Sequence, residues 1–267
     1  MITIFTPTFN RASYLKVCYE GLLNQTYNDF EWLIVDDGSD DNTKEVVEEF
    51  LLEGKIKIRY LYQENAGKQA AWNTGVLNSN GEYFIGVDSD DSLTFDGLRV
   101  FFDNYIPMLA SNKDIIGVRA LSMKQSTQYA DNAYSIDMDS SVDSWFNEFA
   151  SGISGERIDI FKTSMLKEFL YPVKGEIRFI PEIWFYVNVS RKYKFLYVSK
   201  YLRLFYDEHD GNRLSRSAIE KHAKGHFIAR SAMLKYIPVV CFLKNPIALV
   251  KTCIRWCQCL FFIIKNR

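Results

Sequence analysis

Apolar runs alternate with segments of helical spacing through the first part of the chain. Runs at residues 2–7, 30–35, 56–62 and 83–87 predict strands, and segments at 13–25, 43–52 and 68–77 predict helices. Strands and helices repeated at this spacing are typical of a parallel sheet with helices on both faces. The pattern therefore predicts an α/β fold with a Rossmann-like, mostly parallel central sheet.

The regular alternation fades from about Phe101. Beyond it the pattern predicts a strand at 115–122, helices at 142–150 and 163–169, and two strands around a turn at 193–205. We expect this half to cover a crevice formed by the first half and to recognise a second substrate. The predicted organisation is one half at 1–105, a second half of the same domain at 106–213, and a helical tail at 214–267.

Three polar clusters directly follow predicted strands. They are TPTFNR at 6–11, DDGSDD at 36–41 and DSDD at 88–91. In parallel α/β sheets, ligands bind in the crevice outside the carboxyl ends of the strands. All three clusters should therefore face one crevice.

The cluster at 88–91 gathers carboxylates that repel one another, by about 4 kcal/mol for a pair ~4 Å apart. Asp88 and Asp90 offer hard oxygen ligands at a strand end, which suit Mg²⁺ or Mn²⁺ with substrate phosphates completing the shell. The alternative is a turn in which Asp and Ser cap a helix starting at Thr94. Taken alone, the motif leaves both interpretations open.

The other segments allow two interpretations as well. In VDDGSDDNT, the adjacent acids could hydrogen-bond a base or ribose, or the segment could be a turn capped by Asn42 or Thr43. In NAGKQAAWNTG, at 65–75, glycines allow close backbone approach and a helix start favours an anion. Lys68 could reach a phosphate there, although GxxxxGK[ST] is absent and the segment is no P-loop.

Together these segments resemble the family 2 glycosyltransferases, nucleotide-sugar-dependent enzymes of GT-A fold. TPTFNR is similar to their opening strand, QTYNDFEWLIVDDGSDDNT to their second strand and acidic turn, NAGKQAAWNTG to their third block, and GEYFIGVDSDD to their metal motif. The resemblance covers about residues 1–105, in the same order and spacing. The later half matches only loosely.

The resemblance implies a role for each matching position. The implied donor-binding residues are Thr6, Pro7, Thr8, Asn10, Asp37, Asn65, Lys68, Asp88 and Ser89, and Asp90 would bind Mn²⁺ or Mg²⁺, which neutralises charge on a departing diphosphate. In the later half, His209 in YDEHDGNRLS could be a third metal ligand or lie over the donor phosphates, and Arg213 could bind those phosphates as well. The plain alternative for His209 is an ordinary loop residue.

Members of this family typically invert the anomeric centre, so a carboxylate should take the proton from an acceptor hydroxyl. Glu182, in the segment PEIW, opens an apolar helical stretch and is the candidate base, with Glu176 as its rival. The second acid of the family's motif is missing here. The alternative is a first-turn Glu that only complements the helix dipole.

The formal net charge of −1 conceals an uneven distribution, because nine of the 32 Lys and Arg follow Glu220 and no acid does. The five cysteines, an odd number without paired CxxC units, argue against disulfides and a zinc site. His222 and His226 lack a third ligand nearby, so we expect them on an exposed helix surface. The opening MITIFTP lacks the regions of a signal peptide, so we expect a cytoplasmic body.

The tail has the pattern of a basic amphipathic helix from Pro246, with Lys251, Arg255 and Gln258 in one polar stripe. These residues interrupt every run approaching the ~20 apolar residues of a membrane span. We therefore expect an interfacial anchor on the inner face of the membrane, or alternatively a helix packed on protein. The acidic body and the lack of a base-reading motif argue against nucleic acid.

These observations favour an inverting, metal-dependent glycosyltransferase that moves a hexose from a nucleotide-diphosphate donor, expected to be a UDP-sugar. The anchor suggests a lipid-linked saccharide acceptor, as in bacterial surface polysaccharide biosynthesis. Two alternatives stay open. One is a sugar nucleotidyltransferase, although its glycine-rich loop with a basic residue is not seen in TPTFNRAS, and the other is a non-catalytic membrane scaffold with a degenerate nucleotide site.

Overall fold

The computed structural model describes residues 1–127, 134, 139–153, 155–206 and 219–266. The strands in these ranges are β1 (Ile2–Thr8), β2 (Phe30–Asp36), β3 (Ile58–Tyr62), β4 (Tyr83–Gly86), β5 (Ser92–Leu93), β6 (Ile115–Lys124), β7 (Ser140–Asp143), β8 (Arg157–Lys162) and β9 (Lys194–Phe205). The helices are α1 (Ala12–Leu23), α2 (Thr43–Glu53), α3 (Lys68–Asn78), α4 (Gly97–Val100), α5 (Ile106–Ser111), α6 (Trp145–Ser151), α7 (Thr163–Leu166), α8 (Ile183–Val189), α9 (Ala223–Tyr236), α10 (Val239–Lys244) and α11 (Pro246–Lys265). A π-helical turn at Phe101–Tyr105 joins α4 to α5, so residue 106 lies inside a continuous helical stretch.

One sheet contains all the strands of the described residues, in the order β3-β2-β1-β4-β8-β6-β9-β5, with β7 also paired to β9. β3, β2, β1 and β4 are parallel, so their carboxyl ends lie at one edge. β8 is antiparallel to both β4 and β6 and joins the later half of the chain to the first. The predicted α/β fold is confirmed.

Alternate side chains of β1 and β2 enter two cores, one on each face of the sheet. On one face, Trp32 is fully buried and stacks with Tyr19 of α1 and Phe50 of α2. On the other, Phe5 meets the edge of the Trp72 ring of α3. Because helices cover both faces, the strand ends are the part of the sheet left for a ligand.

The later half differs from the prediction in several elements. The helix predicted at 142–150 starts only at Trp145, after strand β7, because the Ser144 side chain accepts a hydrogen bond from Phe146 N and caps it. Residues 194–205 form one strand instead of two, since shifts in register against β6 absorb the irregularity. The patterning missed β8, and it missed β5, whose pairing with β9 moves the helix expected at Thr94 to Gly97.

Helix α11 packs along α9. Trp256 Nε1 donates to Ser231 Oγ at 2.9 Å, its ring packs on Phe227, and Cys259 is buried. By length and composition, α11 meets the criteria for a membrane-crossing helix, and most of it is exposed. Its only charges before Lys265 are Lys251 and Arg255, so these residues do not by themselves exclude a span, and the interfacial helix stays a prediction.

Candidate active site

Three carboxylates follow β4, and each is paired with a cation of its own. The pairs are Lys68 with Asp88 at 2.9 Å, Arg11 with Asp90 at 2.6 Å, and Arg203 with Asp91 at 3.2 Å. The three cations come from the start of α3, the residue before α1, and β9. The fold thus offsets the repulsion that the sequence pattern creates, using side chains from three separate elements.

The three acids differ in how accessible they are. Asp90 and Asp91 are buried, whereas the Asp88 side chain is 42% exposed. Burial, opposed by Arg203 and reinforced by the Asp88 and Asp90 carboxylates, raises the pKa of Asp91 to about 7. Tyr206 N also donates to Asp91 at 3.1 Å. Asp91 is therefore held inside the protein, and Asp88 is the most exposed of the three acids.

Lys68 lies between two acids that come from distant parts of the sequence. Its Nζ is 2.9 Å from Asp88 and 3.8 Å from Glu182 Oε1. Partial burial alone would lower the pKa of Lys68, but these two carboxylates raise it above its ordinary value. Lys68 therefore stays charged, and it places the predicted diphosphate contact next to the predicted base.

Glu182 and its rival Glu176 occupy different surroundings. Glu182 is the residue before α8, its side chain is 61% exposed, and it borders the crevice beside Lys68. Glu176 lies on the surface in an ion pair with Lys224, which lowers its pKa. The structure therefore brings Glu182, and not Glu176, to the predicted donor-binding residues.

Asp37 organises the loop before α3. Its carboxylate accepts hydrogen bonds from Gln63 Nε2 at 2.7 Å, Ala66 N at 2.9 Å and Gly67 N at 2.8 Å. Asn65 Nδ2 donates back to the Asp37 carbonyl at 2.8 Å. These contacts fix the start of α3, and hence Lys68, while the predicted nucleoside contact of Asp37 stays a prediction.

The residues predicted at the end of β1 separate onto two sides of the strand. Pro7 lines the crevice, but Thr6 is fully buried and accepts a hydrogen bond from Trp32 Nε1 at 2.9 Å. The Thr8 hydroxyl is buried without a partner among the residues described. Asn10 bonds Ser39 and Asp40 of the acidic turn. The strand end therefore brings Pro7 to the crevice, Thr6 belongs to the core, and the predicted donor contacts of these residues stay predictions.

A cavity of about 110 Å³ opens between these elements. Lys68, Asp88 and Glu182 line it with side chains that are 33%, 42% and 61% exposed, so they form its mouth, and β8 contributes Asp159 to its lining. Aromatic walls come from Trp72, Phe161, Tyr171, Phe185 and Tyr186. A cavity lined by apolar rings with a few convergent polar groups is the usual form of a small-molecule site.

Asp88 and Asp90 fit a divalent cation chemically, since both offer carboxylate oxygens at one strand end. Asp90 is bonded to Arg11, and within the described ranges no three His, Cys, Asp or Glu side chains gather as a metal site. A cation would therefore need donor phosphate oxygens to complete its shell, as Mg²⁺ commonly does. The predicted ligand His209 and the predicted donor contact Arg213 lie outside the described residues.

His222 and His226 are partly buried, so the expectation of an exposed surface is wrong. Both rings pack against Phe179, which precedes α8. Burial, with Arg230 and His222 adding to the effect, lowers the pKa of His226 to about 4. The pair is therefore a neutral packing contact between α9 and the segment leading to Glu182.

Sequence reasoning missed Arg11, Arg203 and Asp159. Arg11 stands inside the quoted TPTFNR motif, so its position was visible and only its pairing with Asp90 was not. Arg203 and Asp159 lie on β9 and β8, where the patterning predicted no site. A charged residue inside an apolar strand run, as in RIDIF, was the available signal.

The chain is similar in sequence to known glycosyltransferases over its first half. Residues 3–122 match the family model described as Glycosyl transferase family 2. Glycosyltransferase GlyA of Streptococcus pneumoniae serotype 4 is 39% identical over 105 residues, which are 39% of this chain and 15% of GlyA. The chain thus spans only a small part of this relative.

Solved structures resemble the chain over nearly its whole length. Staphylococcus aureus TarS in complex with UDP-GlcNAc matches with a TM-score of 0.66 at 18% identity, covering 88% of this chain and 67% of that one. The mannosyltransferase PcManGT from Pyrobaculum calidifontis, in complex with GDP-Man and Mn²⁺, matches with a TM-score of 0.60 at 14% identity, covering 99% and 74%. The chain therefore has the GT-A fold, and its residues 3–122 are similar to glycosyl transferase family 2.

Proposed function

We propose that this protein is an inverting glycosyltransferase that moves a sugar from a nucleotide diphosphate to a saccharide hydroxyl. The observation that carries the proposal is the position of Lys68, within 2.9 Å of Asp88 and 3.8 Å of Glu182. A leaving diphosphate and a base for the acceptor must lie close to the same sugar carbon. Asp88, Lys68 and Glu182 meet at the mouth of one cavity, as this reaction needs.

The donor binds, in this proposal, along the ends of β1, β2 and β4. Pro7, Asp37, Asn65 and Asp88 lie around this edge, and Lys68 stands at the start of α3, where the helix dipole favours phosphate. A UDP-sugar is the proposed donor, in line with the UDP-GlcNAc bound by the structurally similar TarS. A divalent cation held by Asp88 and Asp90 would act as a Lewis acid toward the diphosphate.

The protein's own groups complete the proposed reaction. Glu182 accepts the proton of the acceptor hydroxyl as its oxygen bonds to the anomeric carbon. The bond from that carbon to the diphosphate oxygen breaks, and the electron pair leaves with the diphosphate. Attack opposite the leaving group inverts the centre. Lys68 supplies positive charge beside the oxygens where negative charge develops.

Release of nucleoside diphosphate from UDP-glucose, UDP-galactose, UDP-GlcNAc and GDP-mannose tests this proposal, with Mn²⁺, Mg²⁺ or a chelator and a membrane lipid extract as acceptor. We expect one donor to be consumed in a metal-dependent way. Asp88→Asn should lower kcat/KM by about 100-fold or more, because a preorganised charge is lost. Asp103→Asn, which changes an exposed acid paired with Arg99 on the helix surface, should change nothing.

Two other outcomes would contradict the proposal. Release of pyrophosphate from a nucleoside triphosphate and a sugar phosphate would indicate a nucleotidyltransferase. Donor binding without turnover, for every donor and acceptor fraction, would indicate a scaffold.

We also propose that α10 and α11 hold the protein on an anionic membrane surface, where the acceptor would be a lipid-linked saccharide. Leu243, Ile247, Val250 and Ile254 are each more than half exposed and recur at helical spacing. The tail's cations, without any acid after Glu220, complement anionic headgroups. The face of α11 that packs on α9 favours a helix lying along the membrane surface.

Vesicle sedimentation tests the membrane proposal. The wild-type protein should bind vesicles containing phosphatidylglycerol, and Ile247→Asp with Ile254→Asp should weaken this at least about tenfold, since each buried apolar side chain contributes ~1.5–3 kcal/mol. Leu52→Asp, at an 88% exposed position of α2, is the matched control and should leave binding unchanged. Equal binding of all three proteins would contradict the membrane proposal.

A further inference from the structure

A cluster of buried charges lies behind the cavity. Arg119 of β6 donates through Nη1 to Asp159 Oδ2 at 2.8 Å, and the Tyr186 hydroxyl donates to the same oxygen at 2.8 Å. Arg119 Nη2 also reaches Glu148 Oε1 at 3.4 Å. Burial of such ions is unfavourable unless each one is paired. These contacts join β6, β8, α6 and α8 into one network.

The two acids of this network differ in how many of their carboxylate oxygens accept hydrogen bonds. Glu148 uses both oxygens, since Oε1 also accepts from Arg157 Nε at 3.3 Å and Oε2 accepts from the Tyr197 hydroxyl at 2.8 Å. Asp159 uses only Oδ2. Its Oδ1 is shielded from solvent and has no hydrogen-bond partner among the residues that the structure describes.

An unpartnered carboxylate oxygen in the interior is unfavourable, because burial removes its bonds to water without replacing them. Asp159 is only 8% exposed, and it lines the same cavity as Asp88. Trp72 lines the same cavity, and its Nε1 donor likewise lacks a partner in the described part of the chain. Asp159 and Trp72, the residues that carry these two unpartnered atoms, thus line the same cavity.

The shape and surface of this space suit a sugar ring. The volume of about 110 Å³ is several times the ~10–15 Å³ that holds one water molecule. Its aromatic walls can pack against the C–H face of a pyranose, while the unpartnered polar atoms can bond hydroxyls. Such a mixture of apolar contact and few polar groups sets ligand specificity.

We propose that the cavity holds the glycosyl group of the donor, and that Asp159 determines sugar specificity by accepting a hydrogen bond from one ring hydroxyl through Oδ1. This inference rests on the proposed function. The donor's sugar is favoured over the acceptor's because it is bonded directly to the diphosphate, and Asp88 and Lys68 stand at the cavity mouth. Asp159 is a specificity-determining residue in this assignment, and Glu182 remains the base.

The variant Asp159→Asn replaces the unpartnered hydrogen-bond acceptor, Oδ1, by a hydrogen-bond donor. Arg119 and Tyr186 both donate, so they hold the amide oxygen, and the amide NH₂ then takes the place of Oδ1. The amide N–H then points to the position where the sugar hydroxyl needs a hydrogen-bond acceptor. Glu148→Gln is the matched control, because Glu148 is buried in the same network but does not line the cavity.

Binding of UDP and GDP, and of their glucose, galactose, N-acetylglucosamine and mannose conjugates, is measured by calorimetry beside kcat/KM. For the conjugate that the wild-type protein consumes, Asp159→Asn should lower kcat/KM at least about 100-fold, since sites built to bond a hydroxyl discriminate strongly. Its affinity for the free nucleoside diphosphate should stay within about twofold. Glu148→Gln should leave the relative preference among the conjugates unchanged.

Monodeoxy analogues of the consumed donor identify the hydroxyl and need no variant to fold. One analogue should be at least about 100-fold poorer than its parent with the wild-type protein, and that ratio should shrink to about threefold or less with Asp159→Asn. Equal loss for all donors and for free UDP or GDP, or no sensitive hydroxyl in the wild-type protein, would overturn the inference while the proposed function stands. Absence of any donor binding or turnover would overturn both.

Discussion

Glu182→Gln is expected to lower kcat by about 100- to 10,000-fold, the usual contribution of a positioned general base. Gln keeps the shape of the side chain but cannot accept the proton of the acceptor hydroxyl. The affinity for the nucleotide sugar should change little, because Asp88 and the end of β1 remain intact. Single-turnover release of nucleoside diphosphate, with donor binding measured separately, distinguishes these two quantities.

Glu176→Gln is the matched control for this variant. Glu176 is six positions earlier in the same connecting segment, is exposed, and pairs with Lys224 on the surface. Its replacement should leave kcat unchanged, since exposed ion pairs contribute little. If Glu176→Gln removed turnover and Glu182→Gln did not, the assignment of the base would be reversed. Loss of nucleotide-sugar binding in Glu182→Gln would instead indicate that Glu182 positions Lys68 for donor binding and is not the base.

Gly67→Ala should destabilise the protein by about 3 kcal/mol or more, one of the larger effects a single substitution has. Gly67 has φ 98° and ψ 158°, a region that essentially only glycine occupies. A Cβ atom there would overlap the carbonyl oxygen of Arg178. The backbone before α3 would have to move, and the hydrogen bond from Gly67 N to Asp37 would be strained.

Thermal unfolding of Gly67→Ala and Gly54→Ala distinguishes the cost of overlap with Arg178 from the cost of a positive φ angle for alanine. Gly54 also has positive φ, 61°, but a Cβ there meets nothing within 4 Å. We expect Gly54→Ala to cost about 1 kcal/mol and to lower Tm by ~2–4 °C, against ~6–12 °C or more for Gly67→Ala. Equal shifts in the two variants would show that contact with Arg178 is unimportant.

The parallel strands of the first half were predictable because each is a short apolar run that ends in a polar cluster. The runs became β1 to β4, and the clusters lie at one edge of the sheet, since the carboxyl ends of parallel strands coincide. The later half was less predictable. Strand β8 pairs antiparallel with β4 and β6 from far along the sequence, and such long-range pairing leaves only a weak local pattern.

The sequence by itself determined the fold class, the family resemblance of residues 1–105, and the gathering of acids behind β4, because these depend on local periodicity and on spacing within short segments. Only the tertiary structure decided which cations compensate the negative charges of those acids. Arg11, Lys68 and Arg203 reach Asp90, Asp88 and Asp91 from three different elements. It also decided that Glu182 meets Lys68, and that Asp159 lines the cavity with one oxygen unpartnered. Contacts between residues so far apart in sequence depend on how the sheet and helices pack, which local patterning does not encode.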